Sequence, residues 1–230
     1  MTVAIVRFGG SNCDRDAARA LDSLGIENEI VWHEDGLPAD TTGVMLPGGF
    51  SYGDYLRAGA MAARAPIMAD VKELAEEGLP VLGICNGAQM GCEASLTPGA
   101  FTTNESARFQ CEHVHVRVEN SETRWTAAYE EGQVLELPIA HGEGRFEITE
   151  EKLAELRAAD RVLFRYATPE GEITEDANPN GSTDNVAGIL GEAENVAVLM
   201  PHPERVALAD IGPTDGRGIL SGFARATVAP

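Results

Sequence analysis

The sequence predicts an α/β fold: a three-layer sandwich with a mostly parallel central sheet and additional antiparallel strands. Three observations predict it. Short β-branched runs alternate with amphipathic helical segments through the first part of the chain, the pattern of a parallel sheet covered on both faces. The stretch 107–119, ARFQCEHVHVRVE, then alternates apolar and polar residues, which is the antiparallel habit. No Ser/Gly-rich linker and no repeat interrupts the chain, so one domain is expected over 1–230.

The elements follow in order. TVAIVRF (2–8) is a first strand. Asn12 suits the cap of a helix whose apolar face is Ala17, Ala20, Leu21 and Leu24, and Gly25 stands where a helix ends. ENEIVWH (27–33) and GVMLP (43–47) are further strands. Pro66 fits the first turn of a helix carrying Met68, Val71, Leu74 and Ala75, stopped by Gly78. LPVLGIC (79–85) is the next strand, with a helix from about Asn86. Beyond the alternating 107–119 segment, strands are expected at 132–142, 161–167, 185–191 and 195–201. Between them Thr149 caps a short helix with Leu153 and Leu156 inward, and Ile148 staples onto Leu153.

Composition narrows the function classes. The 230 residues carry a formal net charge of −20, a surface that repels phosphate backbones and argues against nucleic acid as a partner. Lys72 and Lys152 are the only lysines. Excess carboxylate with so little lysine suggests adaptation to high salt, where counter-ions screen self-repulsion. No apolar run approaches the roughly 20 residues that span a bilayer, and MTVAIVRFGG does not read as an export signal, so a cytoplasmic protein without a membrane is expected. Cys13, Cys85, Cys92 and Cys111 form no CxxC pair and are expected as free thiols. His113 and His115 share a strand face with no third ligand in view, and no metal site is expected. The Asn-x-Ser matches at Asn104 and Asn180 are taken as chance.

Three short stretches carry chemistry. A strand, then Gly83-Ile-Cys85-Asn-Gly87, then a helix is the cysteine form of a nucleophile elbow. Gly83 and Gly87 leave clearance for the tight turn, and the following helix N-terminus favours thiolate. In MPHPER (200–205), Pro201 and Pro203 keep His202 out of a helix. An extended backbone there puts His202 and Glu204 on one face, a base with its orienting carboxylate. In LPGGFSYGDY (46–55), the turn at Gly48 and Gly49 offers backbone N–H groups to a developing oxyanion. Asp54 and Arg57 read as ions supporting that turn. Each stretch lies at the C-terminal end of its own strand, the edge where open α/β sheets bind ligands. Cys92 has no glycine pair around it and is read as structural.

These stretches resemble the class I glutamine amidotransferases, which use a Cys-His-Glu triad on a flavodoxin-like fold. Within that class, GGFSYGDYLRAGA (48–60), GICNGAQ (83–89), IAHGEGRF (139–146), NPNGS (178–182) and MPHPER are similar to the glutaminase subunits of phosphoribosylformylglycinamidine synthase, of purine biosynthesis. The matches run from residue 3 to about 205. The resemblance implies that Cys85 attacks the amide of L-glutamine, His202 relays the proton to departing ammonia, and Glu204 holds His202. It implies that the N–H groups of Gly49 and Asn86 line the oxyanion hole, and that Gly48 and Gln89 help to bind glutamine. It further implies that ammonia passes to a large synthetase subunit, joined through a small bridging subunit. That partner holds ATP and Mg²⁺, with no cofactor in this chain, which has no GxxxxGK[ST] loop. His141 and Arg145 of HGEGRF are expected to contact the synthetase. The competing readings are another Cys-elbow hydrolase and a catalytically silent docking subunit.

Overall fold

The structure is a computed structural model, which describes residues 2–210 and 212–224. The expected domain, 1–230, also takes in residues 1, 211 and 225–230, which lie outside the described residues. The elements are β1 (Thr2–Arg7), α1 (Asp14–Ser23), β2 (Asn28–Trp32), β3 (Thr41–Leu46), α2 (Ile67–Glu76), β4 (Val81–Ile84), α3 (Asn86–Glu93), β5 (Ala100–Thr102), β6 (Gln110–Val118), β7 (Val134–His141), β8 (Arg145–Glu147), α4 (Glu150–Ala158), β9 (Val162–Ala167), β10 (Val186–Leu190), β11 (Val196–Leu199) and α5 (Arg217–Leu220).

Nine strands form one sheet in the order β2-β1-β3-β4-β11-β10-β9-β6-β7, while β5 and β8 pair separately. The first five run parallel. The remaining pairings are antiparallel, so only β10 and β6 oppose the common direction. The expected strand-helix rhythm and the long antiparallel strand are both present.

The alternation of β1 explains the layers. Val3 and Ile5 point into one core with Ala17, Ala20 and Leu21 of α1. Ala4 and Val6 point into a second core with Ile67, Met68, Val71 and Ala75 of α2. Adjacent strand residues face opposite sides, so a run buried on both faces needs a helix on each. Each fully buried branched side chain contributes about 1.5–3 kcal/mol. The first core extends across the antiparallel half and takes in Trp125, Phe164, Tyr166 and Leu153 and Leu156 of α4.

Helix ends follow their local chemistry with one exception. Gly25, at φ +70, closes α1; its N–H donates to the Asp22 carbonyl and that of Ile26 to the Leu21 carbonyl. Thr149 accepts from the Lys152 N–H as the α4 cap, and Ile148 packs on the cluster that holds Leu153. Asn12, expected to cap α1, does not. Cys13 occupies that position, and the Asn12 Oδ1 accepts from the Cys13 thiol at 3.1 Å.

Candidate active site

β3, β4 and β11 are adjacent and parallel, so their C-terminal ends bring together the Gly48-Gly49 turn, Cys85 and residues 200–205. The elbow is tight. Cys85 has φ 52 and ψ −106, a conformation that costs a non-glycine residue roughly 1–3 kcal/mol. Neighbouring bonds hold it there: its N–H donates to the Leu199 carbonyl at 2.9 Å, and its carbonyl accepts from Ala88 and Gln89. A Cβ on Gly83 would meet the Gly87 oxygen at 2.5 Å, and one on Gly87 would meet the Leu46 oxygen at 1.9 Å. Both glycines are clearance, as the sequence implies.

His202 and Glu204 are buried, and the His202 Nδ1 lies 2.6 Å from the Glu204 Oε1. The route to this contact differs from the expected one. His202 is extended, but Glu204 belongs to a 3-10 turn over Pro203–Val206, so the carboxylate folds back to the ring. Burial opposes a charge on His202, yet the Glu204 carboxylate and the Cys85 and Cys13 groups beside it raise its pKa well above the ordinary imidazole value. This is the electrostatic setting of a proton relay: a ring held by a carboxylate next to a thiol.

β7 fastens both halves of the site. The Pro138 carbonyl accepts from the His202 N–H at 2.8 Å. The Ala140 carbonyl accepts from the Cys85 thiol at 3.8 Å. No motif pointed to this role for Pro138 and Ala140, because backbone carbonyls leave no residue-type signature.

The Gly48-Gly49 turn packs directly on His202. A Cβ on Gly48 would meet the His202 Cε1 at 2.8 Å and the Cys13 Sγ at 3.0 Å. The Asn86 N–H opens α3, where helix geometry gives it no intrahelical acceptor. The Asn86 side chain braces the turn by accepting from the Ser51 N–H at 3.1 Å and donating to the Gln89 Oε1 at 2.8 Å. Gln89 in turn donates to the Glu143 carbonyl at 2.7 Å. Both ends of the Gln89 amide are thus engaged by the protein, so it ties α3 to the 141–146 loop.

In that loop His141, expected to contact the synthetase, is only 2% exposed in this chain. Its Nδ1 lies 3.1 Å from the Asn104 Oδ1, and burial, with His202 nearby, pushes its pKa down to about 4. Arg145 is part-exposed and donates to the Gly181 carbonyl. NPNGS is more than a turn: Asn180 donates to the Gly144 carbonyl and the Ser182 hydroxyl accepts from the Phe146 N–H. Asp54 and Arg57 lie beside the glycine turn as expected. Arg57 grips Glu93 of α3 with two bonds of 2.6 Å, and burial with Glu143 nearby raises Asp54 to about 6. Cys92 is buried with its pKa pushed up to about 12, in keeping with an inert structural thiol.

This site on this sheet defines a glutamine amidotransferase. Residues 1–214 match the family described as the CobB/CobQ-like glutamine amidotransferase domain, and the chain belongs to it. Among its relatives is the phosphoribosylformylglycinamidine synthase subunit PurQ of Natronomonas pharaonis, 74% identical over 223 residues, 97% of this chain and 100% of the relative. The subunit of the same name from Halobacterium salinarum is 69% identical over 224 residues, 97% and 100% of the two chains. A chain of the solved PurLQS structure from Thermotoga maritima superposes with a TM-score of 0.86 at 40% identity, covering 97% of each. A glutamine amidotransferase from Thermotoga maritima shares the fold at a TM-score of 0.54 and 16% identity, over 89% of this chain and 76% of that one. Among the described residues no helix is long and apolar enough to cross a membrane.

Proposed function

We propose that this chain is the glutaminase subunit of phosphoribosylformylglycinamidine synthase, one amidotransferase domain acting in the cytoplasm. The observation that carries the catalytic reading is the strained Cys85 elbow beside the buried His202–Glu204 pair, both held by carbonyls of β7. The sulfur of Cys85 attacks the side-chain amide carbon of L-glutamine. The carbonyl π electrons move to oxygen, and the N–H groups of Gly49 and Asn86 receive the oxyanion. His202 passes a proton to the amide nitrogen, the C–N bond breaks, and ammonia leaves a γ-glutamyl thioester on Cys85. Water then adds to the thioester carbon while His202 takes its proton, and the C–S bond breaks to release glutamate. Glu204 keeps the ring oriented throughout. Gly48 presses against His202 and so shapes the substrate side of the site, while Gln89 acts through the loop it ties.

The released ammonia is delivered to a large synthetase subunit that carries ATP and Mg²⁺ and converts formylglycinamide ribonucleotide to the amidine, with a small bridging subunit between them. The likeness to a chain of a PurLQS assembly supports these partners. Arg145 lies on the part-exposed side of the loop and is the residue proposed to face the synthetase. Four free cysteines agree with a reducing compartment.

The test is Cys85→Ala in the assembled complex. Glutamine-dependent synthesis is lost and synthesis from free ammonia is kept. Retained glutamine use would overturn the assignment of the nucleophile, and glutamine hydrolysis by a chain that binds no synthetase would favour a free-standing hydrolase.

A further inference from the structure

We propose that Cys13, His202 and Glu204 form a binding site for a soft divalent cation of the Zn²⁺ class, and that its occupation switches the glutaminase off. Among the described residues, these three make up the group of histidine, cysteine and acidic side chains placed to hold a metal ion. All three are buried, and one ligand atom from each lies within 4.8 Å of the other two. Tetrahedral zinc, with bonds of about 2.0–2.3 Å, needs donors roughly 3.3–3.8 Å apart, a spacing compatible with three ligand atoms that all lie within 4.8 Å of one another. Donor capacity is available: the His202 Nε2 and the Glu204 Oε2 are buried without hydrogen-bond partners among the described residues.

The donor set selects the ion. One thiolate, one imidazole and one carboxylate suit Zn²⁺ and its neighbours, whereas Mg²⁺ and Ca²⁺ prefer oxygen alone. Cys13 stands at the N-terminus of α1, and the Arg205 Nη2 donates to its sulfur at 3.1 Å. A metal-bound thiolate still accepts such a bond. The guanidinium charge counts against a cation, but the thiolate and the Glu204 carboxylate together balance a divalent ion.

Occupation and catalysis exclude each other. The His202 Nδ1 is committed to the Glu204 Oε1 at 2.6 Å, so the Nε2 is the nitrogen open to a metal. A metal bound through the His202 Nε2 therefore takes the one ring nitrogen that the Nδ1–Oε1 contact leaves for proton transfer. Metal binding stands independently of the glutaminase reading, and the inhibition rests on it.

The experiment titrates the full-length chain with Co²⁺ and follows the thiolate-to-metal charge-transfer absorption. The wild type develops the band with one equivalent, Zn²⁺ displaces it and Mg²⁺ does not. Cys13→Ser weakens Co²⁺ binding by about 100-fold and loses the band, while Cys111→Ser, at an exposed thiol, keeps it. A second measurement uses wild type alone: Zn²⁺ slows labelling of Cys85 by a diazoketone glutamine analogue, and Mg²⁺ leaves the labelling rate unchanged. No band in wild type, a band that survives in a folded Cys13→Ser, or labelling indifferent to Zn²⁺ would overturn the proposal. A wild type that the analogue never labels would instead count against the glutaminase reading, with the Co²⁺ titration still deciding the metal site.

Discussion

Gly87 lies so close to Leu46 that a Cβ on Gly87 would stand 1.9 Å from the Leu46 carbonyl oxygen. The first turn of α3 is therefore pressed against the end of β3, and the elbow and the oxyanion turn share one rigid contact. Gly87→Ala must push the two apart. It is expected to cost about 1–3 kcal/mol in chemical denaturation and to slow glutamine hydrolysis far more than the stability loss explains. An alanine variant with full activity would contradict this packing.

Glu204→Gln keeps the shape of the pair and removes its charge. The rate of glutamine hydrolysis should fall by on the order of 10³, with Cys85 still present for titration by a thiol reagent. The same change has a pH signature. Glu204 raises His202, so the pair adds stability fully below the unfolded value of about 6.5 and loses it as pH rises through the raised folded value. The gap between wild type and variant in denaturant midpoint should be widest in mild acid and close at alkaline pH.

His141 works in the opposite direction. Its pKa is lowered to about 4 in the folded chain, so its contribution is present above about pH 6.5 and is lost as pH falls toward the folded value. Between pH 7 and pH 5 it should cost the wild type about 2 kcal/mol. His141→Gln removes that slope, which denaturation curves at the two pH values read directly.

The Arg57–Glu93 pair fixes the loop that follows the oxyanion turn, in which Tyr52, Asp54 and Leu56 all have positive φ. Arg57 is 57% exposed, so the pair adds only roughly 0.2–1 kcal/mol to stability. Arg57→Ala should leave the melting temperature almost unchanged and raise KM for glutamine, a split that steady-state kinetics separates from a general loss of fold.

The charge of −20 predicts a salt requirement. Raising NaCl from dilute buffer toward molar concentration should increase the unfolding midpoint, because screening relieves repulsion among the carboxylates. Equal stability in dilute buffer would remove the case for high-salt adaptation.

Much of this was legible in the chain. The β1–β4 elements follow from apolar runs with turn residues between them, and the long alternation predicts β6. GICNG announces its own elbow because a strained turn demands small neighbours whatever lies elsewhere. His202 and Glu204 are near in sequence, and prolines mark the backbone around them. Asn12 does not cap α1, because Cys13 takes that position when the turn packs on Gly48. The burial of His141 was not legible, because a histidine in a glycine-rich loop looks solvated until Asn104, distant in sequence, closes over it.

By itself the sequence determined the α/β rhythm, the Cys85 elbow and the His-x-Glu pair, since each is encoded by local spacing and backbone restriction. Only the tertiary structure decided that β7 clamps both Cys85 and His202, that Asn86 and Gln89 brace loops, and that Cys13 stands beside His202. Those relations join residues many tens of positions apart through carbonyl oxygens and packed side chains. The energy of such contacts depends on distance in space, and no local pattern records it.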